Sequence, residues 1–441
     1  MMIDAARNLF RRRSNSFINK SIDRNNDEII CRRENYGGTL FHPADATFVQ
    51  LDHDGFNCVK RIMVNGEKAR GKDERAFIKE VRASLFHTEA NAELPIRLVE
   101  HASPVTKFLP GVLSAPILVD WQITERCGMG CPQCYASSVV RGKDVSWSDA
   151  ELCVGQMREA GVCQVALGGG EPVLHPRLAD LLQLIRDNGM VPNITTTGIG
   201  MTKEQIRSMK RNCGAVAMSL EGAGEKFAIR RKQGFDNFRR VTDLFLENEI
   251  PLVMQITVSH DNLEYLDETV AHCLGVKPLY GVVFLAHKPA GRAEVFDHPL
   301  SKGNFRNVHE TIYRAVRTLQ PHTRVGFDCC FTPGMVGLEK ELGLSHGTII
   351  EGCSATRSGV GLSPELDVLP CTFLTNKKLG NLKEKSLLKI WNDSYSNSFR
   401  LDMEHRSKED KECRTCSSNS LCMGGCSAWR LVGCVTKEPL Q

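Results

Sequence analysis

The chain has 441 residues, 41% hydrophobic and 24% charged, with a net charge of +4, the composition of about three globular domains with enough apolar content for a sizeable core. No apolar run approaches the ~20 residues of a membrane-spanning helix, the N-terminus lacks the apolar core of a secretory signal, and the charge is too small to argue for a nucleic-acid partner. Eighteen cysteines without a signal point to thiolate or metal chemistry in a reducing compartment, so the expected localisation is cytoplasmic.

Residues 1–30 are polar and Arg/Asn-rich and are expected to form a flexible arm. Residues 31–110 read as a small unit. Alternating stretches at 38–42 and 46–51 predict two short strands around the turn Pro43-Ala44-Asp45. Helices are expected at 54–63, from Cys58 and Ile62, and at 73–85, from Phe77, Val81 and Leu85. A third short helix is expected around 90–100, although Pro95 opposes it. The later helices carry no Arg/Lys-rich reading face, which argues against DNA.

Between 111 and 330 strand-like and helix-like stretches alternate. Strands are expected at 117–124, 164–167, 193–197, 215–220, 252–258 and 281–286, and helices at 148–160, 176–188, 203–212, 236–248 and 263–274. Ser148 and Glu151 have capping-box spacing and Gly161 reads as a stop. Six such units predict an α/β fold, a partial (β/α)6 TIM-like barrel with chemistry on the loops after the strands.

The first of those loops carries Cys127, Cys131 and Cys134 as C-x3-C-x2-C. Three thiolates fall short of the four of a closed zinc site, and the nearest His, His175, is far along the chain. A four-iron cube held by three thiolates keeps one iron open. The second strand runs into Gly168-Gly169-Gly170-Glu171. Glycines permit close backbone approach to a ligand, and a carboxylate there can pair with an ammonium; the plain alternative is a tight turn with a surface Glu.

Residues 331–441 change character, with Cys353, Cys371, Cys413, Cys416, Cys422, Cys426 and Cys434. Zinc knuckles are the structural alternative, since C-x2-C pairs are common in zinc sites. Cys31, Cys58, Cys153, Cys163, Cys213 and Cys273 stand singly and read as packing residues.

The C-x3-C-x2-C loop followed by Gly-Gly-Glu on the next strand end resembles the radical S-adenosylmethionine (SAM) enzymes. The resemblance implies a [4Fe–4S] cluster on Cys127, Cys131 and Cys134, with SAM chelating the open iron. It implies that Gly169, Gly170 and Glu171 hold the SAM amino group, that Ser219 and Glu221 meet its ribose, and that Arg230 meets its carboxylate. Tyr135 fits the usual pattern after the third cysteine. Gln133 departs from the usual aromatic or His, which puts the adenine contact in doubt. The later cysteines resemble a SPASM domain, which implies two auxiliary Fe–S clusters. Cys413, Cys416, Cys422 and Cys434 would hold the distal one, and Cys353, Cys371 and Cys426 the proximal one. Leu366 stands where that family usually has Gly. An eighth cysteine is missing between the first two, so the proximal cluster is expected to have an open iron, with Cys329 and Cys330 as rivals for it. Residues 31–110 are similar to PqqD-like, winged helix-turn-helix units that bind leader peptides.

The implied function is a maturase of a ribosomally made peptide. It would act on a precursor peptide with a leader, with electrons from an external flavodoxin- or ferredoxin-type donor, and would form a thioether or C–C crosslink. Alternatives are a splicease, a sulfatase-maturase-like oxidation, and a non-enzymatic peptide- or DNA-binding metal scaffold. Against the sulfatase reaction, Thr372 stands where that family has Asp. His287, Lys288 and Asp328 lie near late strand ends and are expected to be structural.

Overall fold

The computed structural model describes residues 28–86, 95–101, 111–295, 300, 305–331, 352–409, 411–416 and 419–426. Most of the expected N-terminal arm, including residues 1–27, and Cys434 lie outside the described residues.

The N-terminal unit is a four-stranded sheet in the order β3-β2-β1-β4, built from β1 (Ile29–Glu34), β2 (Gly37–His42), β3 (Thr47–Asp52) and β4 (Ile96–Val99). Helices α1 (His53–Val59, running on as a π turn to Val64) and α2 (Lys72–Phe86) cover one face. Phe56, Val59, Ile78, Val81 and Leu85 pack there on Ile29, Cys31, Leu40 and Leu51. The strand pair and both helices match the apolar spacing. Two expectations are corrected. Strand β1 begins at Ile29, inside the expected arm. Where the third helix was expected, 96–99 is a strand parallel to β1; Pro95 disfavours a helix, and its carbonyl accepts from the Ile29 amide instead (2.8 Å).

Strands β5 (Leu118–Thr124), β6 (Gln164–Gly169), β7 (Val191–Thr195), β8 (Val216–Ser219), β9 (Leu252–Val258), β10 (Gly281–Ala286) and β11 (Arg324–Phe327) run parallel and in chain order. All six expected strands are present. The seventh, Arg324-Val-Gly-Phe327, is too short and too interrupted by Gly326 to show as an apolar run. The helix after β5, α3 (Trp147–Ala160), is capped by Ser146, whose Oγ accepts from the Asp149 amide; the expected cap, Ser148, lies within the helix. Gly161 ends it at φ +68°, a left-handed turn suited to Gly.

The sheet continues from β5 to β12 (Gly359–Leu362), parallel to it, and then to antiparallel β13 (Asp367–Leu369) and β14 (Gly380–Asn381). The Cys-rich region is thus joined to the barrel by backbone hydrogen bonds. Leu366 lies at φ +68° in the turn before β13, fully buried. A left-handed Leu costs about 1–2 kcal/mol, and burying its side chain returns about as much; this explains how Leu occupies the usual glycine position.

Along the barrel strands burial alternates. Outward residues such as Val119, Trp121, Val165, Leu167 and Met218 are buried under the helices. The opposite face carries Asp120, Gln122, Gln164, Asn193, Thr195, Ser219, Gln255 and Thr257, all partly exposed. Closed barrels fill this space with Val, Ile and Leu; here polar groups line much of it, interspersed with Leu118, Val283 and Leu285.

Candidate active site: a thiol loop at the mouth of a polar barrel

Strand β5 pairs with β6 until its register slips between Gln122 and Thr124. Such an irregularity re-aims the chain beside a site, and Cys127, Cys131 and Cys134 follow immediately. The Cys134 amide donates to the Cys131 carbonyl (3.3 Å), and the Cys127 amide to the Val139 carbonyl (2.7 Å). A second brace comes from the loop after β10. Arg292 donates through Nε to the Cys131 carbonyl (3.0 Å) and through Nη1 to the Ser138 carbonyl (2.8 Å), and its amide donates to the Cys134 carbonyl (3.1 Å). Sequence reasoning missed Arg292, because nothing local distinguishes it from a surface arginine.

Gly170 and Glu171 dock against this loop, their amides donating to the carbonyls of Thr124 and Arg126 (2.7 Å each). A Cβ on Gly170 would sit 2.2 Å from the Arg126 carbonyl oxygen, and one on Gly169 2.3 Å from that of Thr124. Around Gly128, Gly130 and Gly168, by contrast, an added Cβ would meet nothing within 4 Å. The glycines therefore serve two purposes: some permit close backbone packing, and others border open space above the thiols.

Glu171 is buried, and its carboxylate is already engaged. Oε1 accepts from the Thr196 hydroxyl and the Val173 amide, and Oε2 from the Thr197 amide (2.7 Å) and hydroxyl (2.6 Å). Burial raises its pKa against the pull of these donors. In this structure the side chain ties the β6 loop to the end of β7.

Of the other expected contacts, Ser219 ends β8, partly exposed on the lumen side. Glu221 is buried and held bidentately by Arg231, with Nε to Oε2 at 2.7 Å and Nη2 to Oε1 at 2.5 Å. Burial works against the Arg231 charge, but Glu221 more than reverses it, with Cys131 and Cys134 adding to the rise. Arg231 thus lies within electrostatic reach of Cys131 and Cys134. Its neighbour Arg230 is buried and donates to the Tyr265 hydroxyl. Tyr135 packs against Phe373 with the rings tilted 35° and their centroids 4.4 Å apart. Gln133 has both amide atoms buried without a hydrogen-bond partner, so the loop holds an unmet donor and acceptor beside the cysteines.

Below the loop, Asp120 accepts from the Thr372 hydroxyl (2.8 Å). Burial raises its pKa to about 6, against Thr372 and Lys288. Lys288 pairs with Asp328 (2.5 Å) and lies 4.4 Å over the Phe373 ring. Cys329, Cys330, Cys353, Cys371 and Cys426 gather nearby: Cys330 lies 3.2 Å from Cys426 and 4.0 Å from Cys329. Cys413 lies within one short helix, Cys416 directly follows it, and Cys422 ends the next. Cys31, Cys153, Cys163, Cys213 and Cys273 are buried and Cys58 is half-buried. Among the described residues no three His, Cys, Asp or Glu side chains are arranged to hold a single metal ion.

Comparison with known proteins agrees with this geometry. Residues 121–273 match the radical SAM superfamily model, and residues 353–417 match SPASM, an iron–sulfur cluster-binding domain. The chain is similar to "PqqA peptide cyclase" of Ruegeria pomeroyi, 25% identical over 71% of this chain and 82% of that one. It is also similar to "Mycofactocin maturase MftC" of Mycolicibacterium smegmatis, 26% identical over 72% and 79%. The fold matches Streptococcus suis SuiB bound to precursor peptide SuiA, at a TM-score of 0.67 and 17% identity, over 91% of this chain and 94% of that one. The chain therefore carries a radical SAM domain and a SPASM domain and is an enzyme. Its cofactors are a [4Fe–4S] cluster with SAM, on the first domain, and auxiliary Fe–S clusters on the second. The residues present fit these groups: three thiols on one braced loop, a glycine border open to a ligand, and an amide with unmet hydrogen bonds. No described helix is long and apolar enough to cross a membrane.

Proposed function

We propose that this chain modifies a ribosomally made precursor peptide, recognising its leader and forming a thioether or C–C crosslink in its core. The observation that carries the reading is the lumen. It is lined by Asp120, Gln122, Gln164, Asn193, Ser219 and Gln255, with the thiol loop at one side and the auxiliary cysteines behind Lys288 and Asp328. Polar groups on alternate strand positions suit the backbone amides of an extended peptide.

The cluster on Cys127, Cys131 and Cys134, with SAM, would supply a 5′-deoxyadenosyl radical when reduced by an external flavodoxin- or ferredoxin-type donor. Gly169 and Gly170 would border the bound SAM, Glu171 would hold their loop in place, and Arg231 with Glu221 would flank it. Asp120 would stand in the lumen where a proton must leave during bond formation; it meets Thr372, the residue that replaces the sulfatase-maturase Asp. The N-terminal unit would take the leader as an added strand. Strand β3 is the outer strand of its sheet, paired only with β2 among the described residues, and so offers backbone donors and acceptors. Relatives named for peptide cyclisation and maturation, and a structural neighbour bound to a precursor peptide, support this reading.

The test is anaerobic incubation with SAM, reductant and the precursor peptide encoded beside this chain, read by tandem mass spectrometry. Loss of two hydrogens between two residues is the expected result. A larger loss would show excision instead, and an unchanged peptide alongside SAM cleavage would overturn the reading for that substrate.

A further inference from the structure

We infer that Cys330 supplies the fourth thiolate of the proximal auxiliary cluster, so that this cluster has no open iron and Cys329 is a surplus thiol beside it. The inference rests on Cys353, Cys371 and Cys426 as the other three ligands.

Strand β11 ends at Phe327 and delivers Asp328-Cys329-Cys330 into the seam between barrel and Cys-rich region. Asp328 fixes that turn: its Oδ1 accepts from the amides of Ala286 (3.3 Å), Cys330 (3.2 Å) and Phe331 (3.1 Å). The Cys330 backbone is therefore pinned from within its own turn and from β10. Its thiol is 3% exposed and lies 3.2 Å from that of Cys426, a residue 96 positions away.

The remaining thiols are close by. Cys353 packs with Ala355, Met403 and Met423, and Cys371 packs against that group. Cys329 interacts with Cys353 and lies 3.9 Å from the Ser354 hydroxyl. Cys371, Cys353, Cys329, Cys330 and Cys426 thus form an unbroken run across the seam. A four-iron cube takes four thiolates, so a set of five closes the cluster with one to spare. Cys330 is the better placed of the adjacent pair, because it is buried and held against Cys426, whereas Cys329 is partly exposed. The Lys288 ammonium, 7% exposed and paired with Asp328, lies within electrostatic reach of Cys330 and Cys426. It offsets the negative charge that buried thiolates bring. A cluster closed in this way passes electrons and does not bind a substrate thiol.

The test uses the full chain with Cys127, Cys131 and Cys134 all changed to Ala, so that only auxiliary clusters contribute. Iron content and Mössbauer spectra are compared for this parent and for Cys330→Ser and Cys329→Ser in it. The expected result is an altered iron site, or loss of about four irons, in Cys330→Ser alone. An altered site in Cys329→Ser with Cys330→Ser like the parent would overturn the assignment. So would a parent whose spectrum already contains a distinct iron that shifts on adding 2-mercaptoethanol; that measurement needs no substitution at Cys330. A parent that binds no auxiliary iron would instead overturn the cluster reading on which the inference rests.

Discussion

Arg32 clamps the N-terminal sheet to the barrel, and its loss should release that sheet. The side chain is 1% exposed. Its Nε pairs with Glu34 (2.7 Å), and its Nη1 donates to the carbonyls of Pro116 and Gly161 (2.9 Å each). Glu34 in turn accepts from the Ser114 amide (2.7 Å). Removing one partner of a buried pair costs about 3–5 kcal/mol, because the other charge stays buried and uncompensated. One term opposes this: Arg32 Nη2 is itself buried without a hydrogen-bond partner, and removing such a group recovers about 1–3 kcal/mol. The net expectation for Arg32→Met is about 2 kcal/mol. At 1.4 kcal/mol per decade, that is roughly a thirtyfold loss of hydrogen-exchange protection. It should appear at the amides of β1 and β2, with the barrel strands β6 and β7 unaffected. Adding Glu34→Gln removes the stranded charge while keeping an acceptor for Ser114, and should restore about half of the lost free energy. Protection in Arg32→Met within twofold of wild type, or a double variant no better than the single, would refute the clamp.

Three further outcomes follow from the site. Asp120 has its pKa raised from 3.8 to about 6 by burial, so the folded state prefers the neutral acid. The associated stability is present below pH 4 and lost as pH rises through 6, amounting to about 3 kcal/mol at neutral pH. Asp120→Asn should therefore lose less stability than wild type between pH 5 and 7.5 in urea titrations, and parallel curves would count against the raised value. Gly170→Ala places a Cβ 2.2 Å from the Arg126 carbonyl oxygen and must move backbone, so its affinity for SAM, measured anaerobically by calorimetry, should fall at least about tenfold, roughly 1.4 kcal/mol. Gly168→Ala meets nothing within 4 Å and should fold as wild type, so any loss of SAM binding there reports on the ligand alone.

Much of the site was legible because its signals are local. Three thiols within eight residues, and a Gly-Gly-Glu turn after the next strand, need only spacing and strand order to point to one ligand. The partners of those residues were not legible. Glu221 is held by Arg231, and Glu171 by Thr196, Thr197 and Val173, contacts that the spacing of motifs does not reveal. Arg230 and Arg231 are adjacent and chemically identical, and only the fold shows that one donates to Tyr265 and the other to Glu221. The missed strands β1, β4 and β11 are short or charged, and their pairing partners, not their own periodicity, make them strands.

The order of chemistry along the chain was thus determined by sequence alone: a strand ending in three thiols, a glycine turn, and a late cysteine array, because ligand type and spacing act over a few residues. Only the tertiary structure decided which distant groups meet. Cys330 and Cys426, Asp120 and Thr372, and Arg32 and Gly161 are each far apart in the chain. The first two pairs depend on the parallel sheet continuing from β5 into β12, which brings the Cys-rich region back onto the first barrel strand; the third is a contact of the N-terminal sheet with the barrel. The β5–β12 pairing sets Leu118 against Gly359, residues too far apart in the chain for a local pattern to reveal.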